Sequence, residues 1–200
     1  MKKLTLALLL CFTPLMVEAK PLKIVSVNED KINCLFNLSC TVTPTDTSEE
    51  IHLTTGGTGL LRVRTFSGAP GSPTEGLFVY EYRIDMSNAL AESAISCIDL
   101  MNFNFGPVVS NLDLNGDTQL DQLFVVTSGA GGAIGIAEAA QSGSILQLKF
   151  TGPICAGMRA GRGDSTFFWG MISRTPPRSM TASLRESTGA MHKIKLQVPK

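Results

Sequence analysis

The stretch Phe78-Val-Tyr-Glu-Tyr-Arg-Ile-Asp85 carries a large apolar side chain at every second position. A period of two places Phe78, Tyr80, Tyr82 and Ile84 on one face of an extended chain, which predicts a β-strand with that face in a core. Similar alternation recurs in residues 95–105 and 146–150. Shorter candidate strands cover residues 22–27, 60–66, 123–127, 166–172, 180–185 and 192–198.

Glycine and proline clusters separate these segments, for example at Thr55-Gly-Gly57, Gly106-Pro107 and Pro176-Pro177. About ten short strands with regular turn signals predict an all-β fold, a two-sheet antiparallel β-sandwich of jelly-roll or Ig-like type. The helix candidates are the short segments Ser87–Glu92 and Ile136–Gln141.

Residues 32–42 show the strictest alternation, with Leu35 as the one apolar residue on the polar side, and predict a half-buried strand. Cys34 and Cys40 would lie on one face of that strand, with Cα atoms about 20 Å apart. A disulfide spans at most about 7 Å, so we favour pairing each of them with Cys97 or Cys155 across the core. In the alternative, the chain bends at Asn37 and pairs Cys34 with Cys40, leaving Cys97 with Cys155.

The beginning of the chain has the pattern of a secretory signal peptide. Lys2 and Lys3 precede an apolar run, and small residues at Val17 and Ala19 fit cleavage after residue 19. We therefore expect a secreted or periplasmic protein, with residues 20–200 forming a single domain. The remaining cysteines, Cys34, Cys40, Cys97 and Cys155, are even in number, which predicts disulfide stabilisation in an oxidising compartment.

The charge of the chain is balanced. Its 17 basic residues include Lys2 and Lys3, and its 17 acidic residues include Glu18, so the part after residue 19 has a net charge of −1. A nearly neutral surface provides little attraction for nucleic acid. No later segment reaches about 18 consecutive apolar residues, so we expect neither a nucleic-acid partner nor membrane insertion.

The segment Asp113-Leu-Asn-Gly-Asp-Thr-Gln-Leu-Asp121 concentrates side-chain oxygen donors in nine residues. It resembles the calcium loop of FG-GAP and VCBS-type repeats, which share a D-x-[DN]-x-D-G-x-x-D core, and less closely the loops of dockerins and EF-hands. The resemblance covers these nine residues only. It implies calcium as the cofactor, with Asp113, Asn115, Asp117 and Asp121 as ligands and Gln119 lending its backbone carbonyl.

Two residues depart from that pattern. Thr118 stands where the family prefers glycine, so we expect the turn to be made without a positive φ. Phe124 stands where an EF-hand has its bidentate glutamate, which excludes an EF-hand. The alternative is a plain hairpin with Asn115-Gly116 at its tip and the aspartates in solvent. In either case we expect the loop to brace the fold rather than to perform chemistry.

The pentapeptide Gly161-Arg-Gly-Asp-Ser165 is identical to the integrin-binding sequence of fibronectin-type adhesion proteins. It marks Arg162, Gly163 and Asp164 as a candidate recognition loop, although an ordinary glycine-rich loop is the interpretation we favour. The glycines at 129–135 follow a candidate strand but lack the G-x-G-x-x-G spacing, since Ile134 occupies the third position. We therefore interpret them as a surface loop.

Catalytic signatures are weak. The chain has two histidines, His52 and His192, and neither a G-x-S-x-G nor an H-E-x-x-H motif. Glu81 could pair with Glu75 or Asp85 in a glycoside hydrolase, but charges on the outward face of a strand are the simpler explanation. Trp169 and its neighbouring aromatics could form a carbohydrate platform, with core packing as the default.

Together these patterns predict a calcium-stabilised binding module that recognises an extracellular polymer or protein. The alternatives are a secreted hydrolase with carboxylate chemistry and a structural component of an envelope or matrix.

Overall fold

The computed structural model describes residues 19–109 and 111–200. In this part of the chain two six-stranded sheets, here sheet I and sheet II, enclose one apolar interior. The predicted β-sandwich is confirmed, with twelve strands rather than about ten. The total of twelve strands exceeds the seven to nine of an Ig domain. Residues 1–18 lie outside the described residues, so the signal peptide at 1–19 stays a prediction.

Sheet I contains, in spatial order, β1 (Lys20–Pro21), β8 (Ile136–Ser142), β9 (Ile145–Cys155), β6 (Cys97–Asn104), β11 (Pro177–Glu186) and β12 (Met191–Pro199). Sheet II contains β2 (Ile24–Asn28), β7 (Leu123–Ser128), β10 (Phe168–Ser173), β5 (Phe78–Asp85), β4 (Thr58–Ser67) and β3 (Thr45–His52). All strand pairs are antiparallel except β2 with β7, which is parallel and aligns Ile24 with Leu123.

Large aromatic side chains fill the interior between the sheets. Tyr82 stacks on Trp169 with ring centroids 4.7 Å apart, and Phe103 packs against both rings. Trp169 is fully buried, so the structure confirms core packing and offers no carbohydrate platform there. The alternation that opens on Phe78 is confirmed as well, because Tyr80 and Tyr82 both point into this core.

A second apolar cluster covers the outer face of sheet II. Helix α1 (Glu29–Phe36) lays Ile32 and Phe36 against Phe66 and Phe124 there. The predicted strand at 32–42 is therefore wrong. Residues 32 and 36 are also neighbours on a helix, so an alternating pattern this short fits both structures. Asn28 caps the helix by accepting a hydrogen bond from the amide of Asp30 at 2.9 Å.

The helix decides the disulfides. The chain turns at Asn37, whose carbonyl accepts a hydrogen bond from the amide of Cys40 at 2.8 Å. The Cα atoms of Cys34 and Cys40 then lie 4.0 Å apart and the two residues are bonded, while Cys97 is bonded to Cys155 across the pair β6–β9. The favoured cross-core pairing is wrong, because it assumed a straight strand through residue 37.

Both helix candidates are also wrong. Residues 87–92 form turns and bends, and residues 136–141 belong to β8, where Ile136 and Ala139 face the interior. Pairing with β9 outweighs the helix propensity of the alanines in this segment. Strand β3 was not predicted, since an exposed edge strand of Thr, Ser, Asp and Glu has little apolar alternation. Among the described residues, no helix is long and apolar enough to cross a membrane.

Candidate metal centre

The nine-residue segment forms a closed loop at the edge of sheet II. Leu112 and Asp121 form an isolated antiparallel bridge, in which the amide of Asp121 donates to the carbonyl of Leu112 at 2.8 Å. The residues between them form bends without strands. A hairpin with Asn115-Gly116 at its tip is therefore wrong. The loop leads directly into β7, beside the parallel strand β2.

Three aspartates converge in this loop. Asp113, Asp117 and Asp121 each place a carboxylate oxygen within 4.8 Å of the other two, a cluster that could hold a metal ion. Asp121 is fully buried, Asp113 is half-buried and Asp117 is exposed. The ligand set is all oxygen, which suits hard cations such as Ca²⁺ and Mg²⁺ rather than zinc.

Backbone amides hold two of the carboxylates in place. Asp113 Oδ1 accepts from the amides of Gly116 (2.7 Å) and Asp117 (3.1 Å), and Asp113 Oδ2 accepts from the amide of Thr118 (2.7 Å). Asp117 Oδ1 accepts from the amide of Gln119 at 2.8 Å, and this bond, with a further one from Asn115, lowers the pKa of Asp117. The loop backbone thus wraps around its own carboxylates.

The side-chain oxygens of Asn115 and Asp121 also accept hydrogen bonds within the loop. Asn115 donates from Nδ2 to Asp117 Oδ2 at 3.1 Å, and its Oδ1 accepts from the amide of Asp117 at 3.0 Å. Asp121 Oδ2 accepts from the amide of Leu114 at 2.9 Å. This bond ties the buried carboxylate to the near end of the loop and leaves its Oδ1 facing the cluster.

Thr118 adopts a left-handed backbone with φ of 69°. The expectation that the loop turns without a positive φ is therefore wrong, since the backbone takes the conformation for which the family prefers glycine. A β-branched residue in this region costs about 1–2 kcal/mol. The surrounding hydrogen bonds to Asp113 and Asp117 hold Thr118 there.

Lys23 brings an ammonium group to the three aspartates. Its Nζ lies 2.8 Å from Asp121 Oδ1, 3.7 Å from Asp117 Oδ2 and 3.3 Å from Gln119 Oε1. The hydrogen bond to Asp121 raises the pKa of Lys23. Sequence reasoning missed Lys23 because it lies 98 residues from Asp121, and only the parallel pair β2–β7 brings the two together.

The Arg-Gly-Asp tripeptide is partly engaged in the fold. Asp164 Oδ2 accepts from the amide of Cys155 at 3.0 Å, and the amide of Asp164 donates to the carbonyl of Cys155 at 2.8 Å. A Cβ on Gly163 would lie 1.8 Å from the carbonyl oxygen of Met86. Only Arg162 of the three is exposed. This geometry favours a structural role for the loop.

The carboxylate pairs do not have the spacing of a glycosidase. Glu81 and Asp85 lie four residues apart in β5, which corresponds to about 13 Å along a strand. Glycosidase carboxylates lie about 5–9.5 Å apart. Glu75 instead accepts a hydrogen bond from the amide of Gly71 at 2.7 Å. The glycines at 129–135 connect β7 to strand β8 rather than to a helix, so a dinucleotide-binding turn is not formed.

A buried glutamate that sequence reasoning missed joins the two sheets. Glu186, at the end of β11, accepts hydrogen bonds from the Thr54 amide at 2.8 Å, the Thr54 hydroxyl at 2.6 Å and the Ser96 hydroxyl at 2.5 Å. Thr188 donates a further bond at 3.1 Å, and His192 Nε2 bonds to Oε1. Ser96 and His192 both bond to the carboxylate instead of to each other, so this cluster lacks the arrangement of a Ser-His-Glu triad.

Comparison of the chain with family models, with curated proteins and with solved structures found no match.

Proposed function

We propose that this protein is an exported β-sandwich that acts by binding an extracellular polymer or protein, and that Ca²⁺ bound by residues 113–121 braces its fold. One observation carries the calcium assignment. Three aspartates converge, and Lys23 offsets only one of their three negative charges. A divalent cation would balance the remaining two.

The loop supports calcium over the smaller Mg²⁺. Calcium accepts six to eight oxygen ligands in irregular geometry, whereas Mg²⁺ requires a near-ideal octahedron. A single short loop that supplies oxygens from Asp113, Asn115, Asp117 and Asp121 suits the less demanding ion. The left-handed backbone at Thr118 is the conformation that calcium loops of this kind use.

The position of the loop supports a bracing role. Asp121 lies two residues before β7, and β7 pairs with the parallel strand β2, so a cation bound to Asp121 fastens the loop at the start of this pair. The predicted leader at 1–19 and the two disulfides support export. A rigid, oxidised sandwich without a recognised catalytic constellation among its described residues supports a binding role over a catalytic one.

The test is a thermal melt of residues 20–200 with Ca²⁺ and with a chelator. At a concentration 100 times Kd, a ligand that binds only the folded state stabilises by about 2.7 kcal/mol. For a chain of this size that raises Tm by about 5–10 °C. We expect this shift for the natural sequence and a clearly smaller one for Asp117→Asn, which removes one charged ligand. Asp117 is exposed, so this change leaves the core intact.

The matched control is Glu49→Gln, which also removes one negative charge from an exposed position but lies on β3, away from the loop. It should keep the full calcium shift. Absence of a shift in the natural sequence, or an equal shift in Asp117→Asn, would remove calcium from the proposal. Repeating the melt with Mg²⁺ separates a specific ion from general screening of charge.

A further inference from the structure

A groove of about 290 Å³ lies on the outer face of sheet II, away from the metal loop. It is lined by Asp46, Thr47 and Ser48 of β3, by Leu60, Arg62 and Arg64 of β4, and by Phe168 of β10. We call it the arginine groove. Helix α1 covers a different part of this face, where Phe66 and Phe124 lie. The volume of the arginine groove is near the lower end of the range for small-ligand sites, about 300–1,000 Å³.

Neighbouring side chains hold both arginines in place. The guanidinium of Arg64 lies 4.0 Å above the ring of Phe168, and its Nε is 3.5 Å from Asp46 Oδ1. Arg62 Nη2 is 3.1 Å from Asp85 Oδ2. Each guanidinium has five N–H groups, and in the described part of the chain each of these two is engaged by a single carboxylate. Most N–H groups of Arg62 and Arg64 can therefore donate to a ligand. Their guanidinium planes are already fixed by the contacts with Phe168, Asp46 and Asp85.

The charges around the groove are close to balance. Its lining has two arginines and Asp46, and Arg62 pairs with the neighbouring Asp85. Glu50 lies on the same outward face of β3, and Arg83 is the strand partner of Arg62. The groove therefore suits an oxyanion through the paired N–H donors of its arginines rather than through a net charge.

The remaining lining groups narrow the ligand. An oxyanion such as a carboxylate or sulfate matches the paired N–H donors of arginine. Asp46 and Ser48, which share the outward face of β3, offer side-chain oxygens that would accept hydrogen bonds from hydroxyl groups, and Leu60 offers an apolar surface. An acidic peptide such as poly-glutamate offers an oxyanion and backbone amides, but neither hydroxyl groups nor an apolar ring face. A sugar acid has an oxyanion, several hydroxyls and an apolar ring face together.

We propose that the arginine groove binds an acidic saccharide, with its carboxylate or sulfate on Arg62 and Arg64 and its hydroxyls on Asp46 and Ser48. This inference rests on the proposed function, since it names the polymer that the binding module recognises. The calcium loop and the groove use different residues, so each can fail while the other stands.

The experiment measures binding of four probes to residues 20–200 by calorimetry. These are an oligomer of uronic acid, a sulfated dextran, neutral dextran and poly-glutamate, each with Ca²⁺ and with a chelator. We expect the uronate or the sulfated probe to bind, and the neutral polymer and poly-glutamate to bind at least tenfold more weakly. Comparison of the uronate with the sulfated probe identifies the oxyanion.

Variants locate the site. Arg64→Met keeps an apolar contact with Phe168 but removes the donors, and should weaken binding about tenfold or more. Ser48 lies on the exposed edge strand opposite Arg62, so Ser48→Glu should place a competing carboxylate in the groove and block binding. The control Arg159→Met removes an exposed arginine that does not line the groove and should leave the affinity unchanged.

Three results would overturn the inference. Binding of none of the acidic saccharides would remove the ligand class, and equal binding of poly-glutamate would leave only a general anion site. Unchanged affinity in both folded variants would place the site elsewhere while leaving the binding function intact. A melt of each variant separates loss of binding from loss of folding.

Discussion

The Glu186 cluster offers the sharpest test of the fold energetics. Burial raises the pKa of this carboxyl, but hydrogen bonds from Ser96 and Thr54 and the contact with His192 lower it by more. The net effect is a pKa of about 2. The ordinary value is 4.5. A difference of about 2.5 pKa units corresponds to about 3 kcal/mol of preference for the ionised form in the folded state.

The sign follows from the direction of the shift. A folded-state pKa below the unfolded-state pKa means that the ionised carboxylate stabilises the fold above pH 4.5, and that this contribution is lost as the pH falls towards 2. At pH 6 we expect the full contribution of about 3 kcal/mol. At pH 3 about 1.4 kcal/mol remains by the same linkage relation.

The perturbation is Glu186→Gln, which keeps the shape and removes the charge. Urea unfolding at pH 6 and pH 3 gives the free energy of unfolding of both proteins. The variant should be less stable by about 3 kcal/mol at pH 6, and the gap should narrow by about 2 kcal/mol at pH 3. The matched control is Glu138→Gln, whose exposed pair with Lys149 should contribute less than about 1 kcal/mol at either pH.

A gap that is the same at both pH values would refute the reasoning, because it would mean that Glu186 acts through shape alone. If the variant does not fold, Ser96→Ala takes its place, since it removes one hydrogen bond to the Glu186 carboxylate. Its gap to the natural sequence should also narrow between pH 6 and pH 3, whereas the gap of Glu138→Gln should not.

Three further outcomes are expected. Thr118→Gly should raise the free energy of urea unfolding by about 0.5–1 kcal/mol, since glycine adopts the left-handed backbone without strain; a loss would contradict that strain. Lys23→Met should lower Tm in chelator and enlarge the calcium shift, because it removes the ammonium competing for the aspartates; an unchanged shift would separate Lys23 from the ion. Burial raises the pKa of Glu81 to about 7, so its contribution to stability is complete below pH 4.5 and falls as the pH rises through 7. Glu81→Gln should therefore gain about 2.5 kcal/mol on the natural sequence between pH 5 and pH 8 in urea titrations, and an equal difference at both pH values would exclude this shift.

The strands that the sequence predicted best are those whose two faces differ. In β5 the alternation separates Tyr80 and Tyr82 from Glu81 and Arg83, and the core lies on the aromatic side. Where both faces are buried, as in the Leu123–Val126 run of β7, alternation disappears and only the apolar run remains. The second core on the outer face of sheet II could not be predicted, since it depends on where α1 packs.

The errors at residues 32–42 have a single cause. Apolar residues at 32, 34 and 36 match the two-residue period of a strand. Residues 32 and 36 also match one face of a helix, whose period is 3.6 residues. The acidic residues Glu29 and Asp30 after Asn28 are the helix-start signal that would have separated the two structures. Once a strand was assumed, the distance between Cys34 and Cys40 forced the wrong disulfides.

The metal loop shows which part of a site a local sequence can specify. The spacing of Asp113, Asp117 and Asp121 was enough to predict that their carboxylates converge, because all three belong to one closed loop. It could not reveal the charge that the loop faces. Lys23 reaches the cluster only through the pairing of β2 with β7, so the balance between a tethered ammonium and a free divalent ion is set by the fold. Because Lys23 offsets one charge of three, the loop needs less help from an ion than its spacing alone suggests, and its calcium affinity should be weaker than that of a loop with the same aspartates and no lysine.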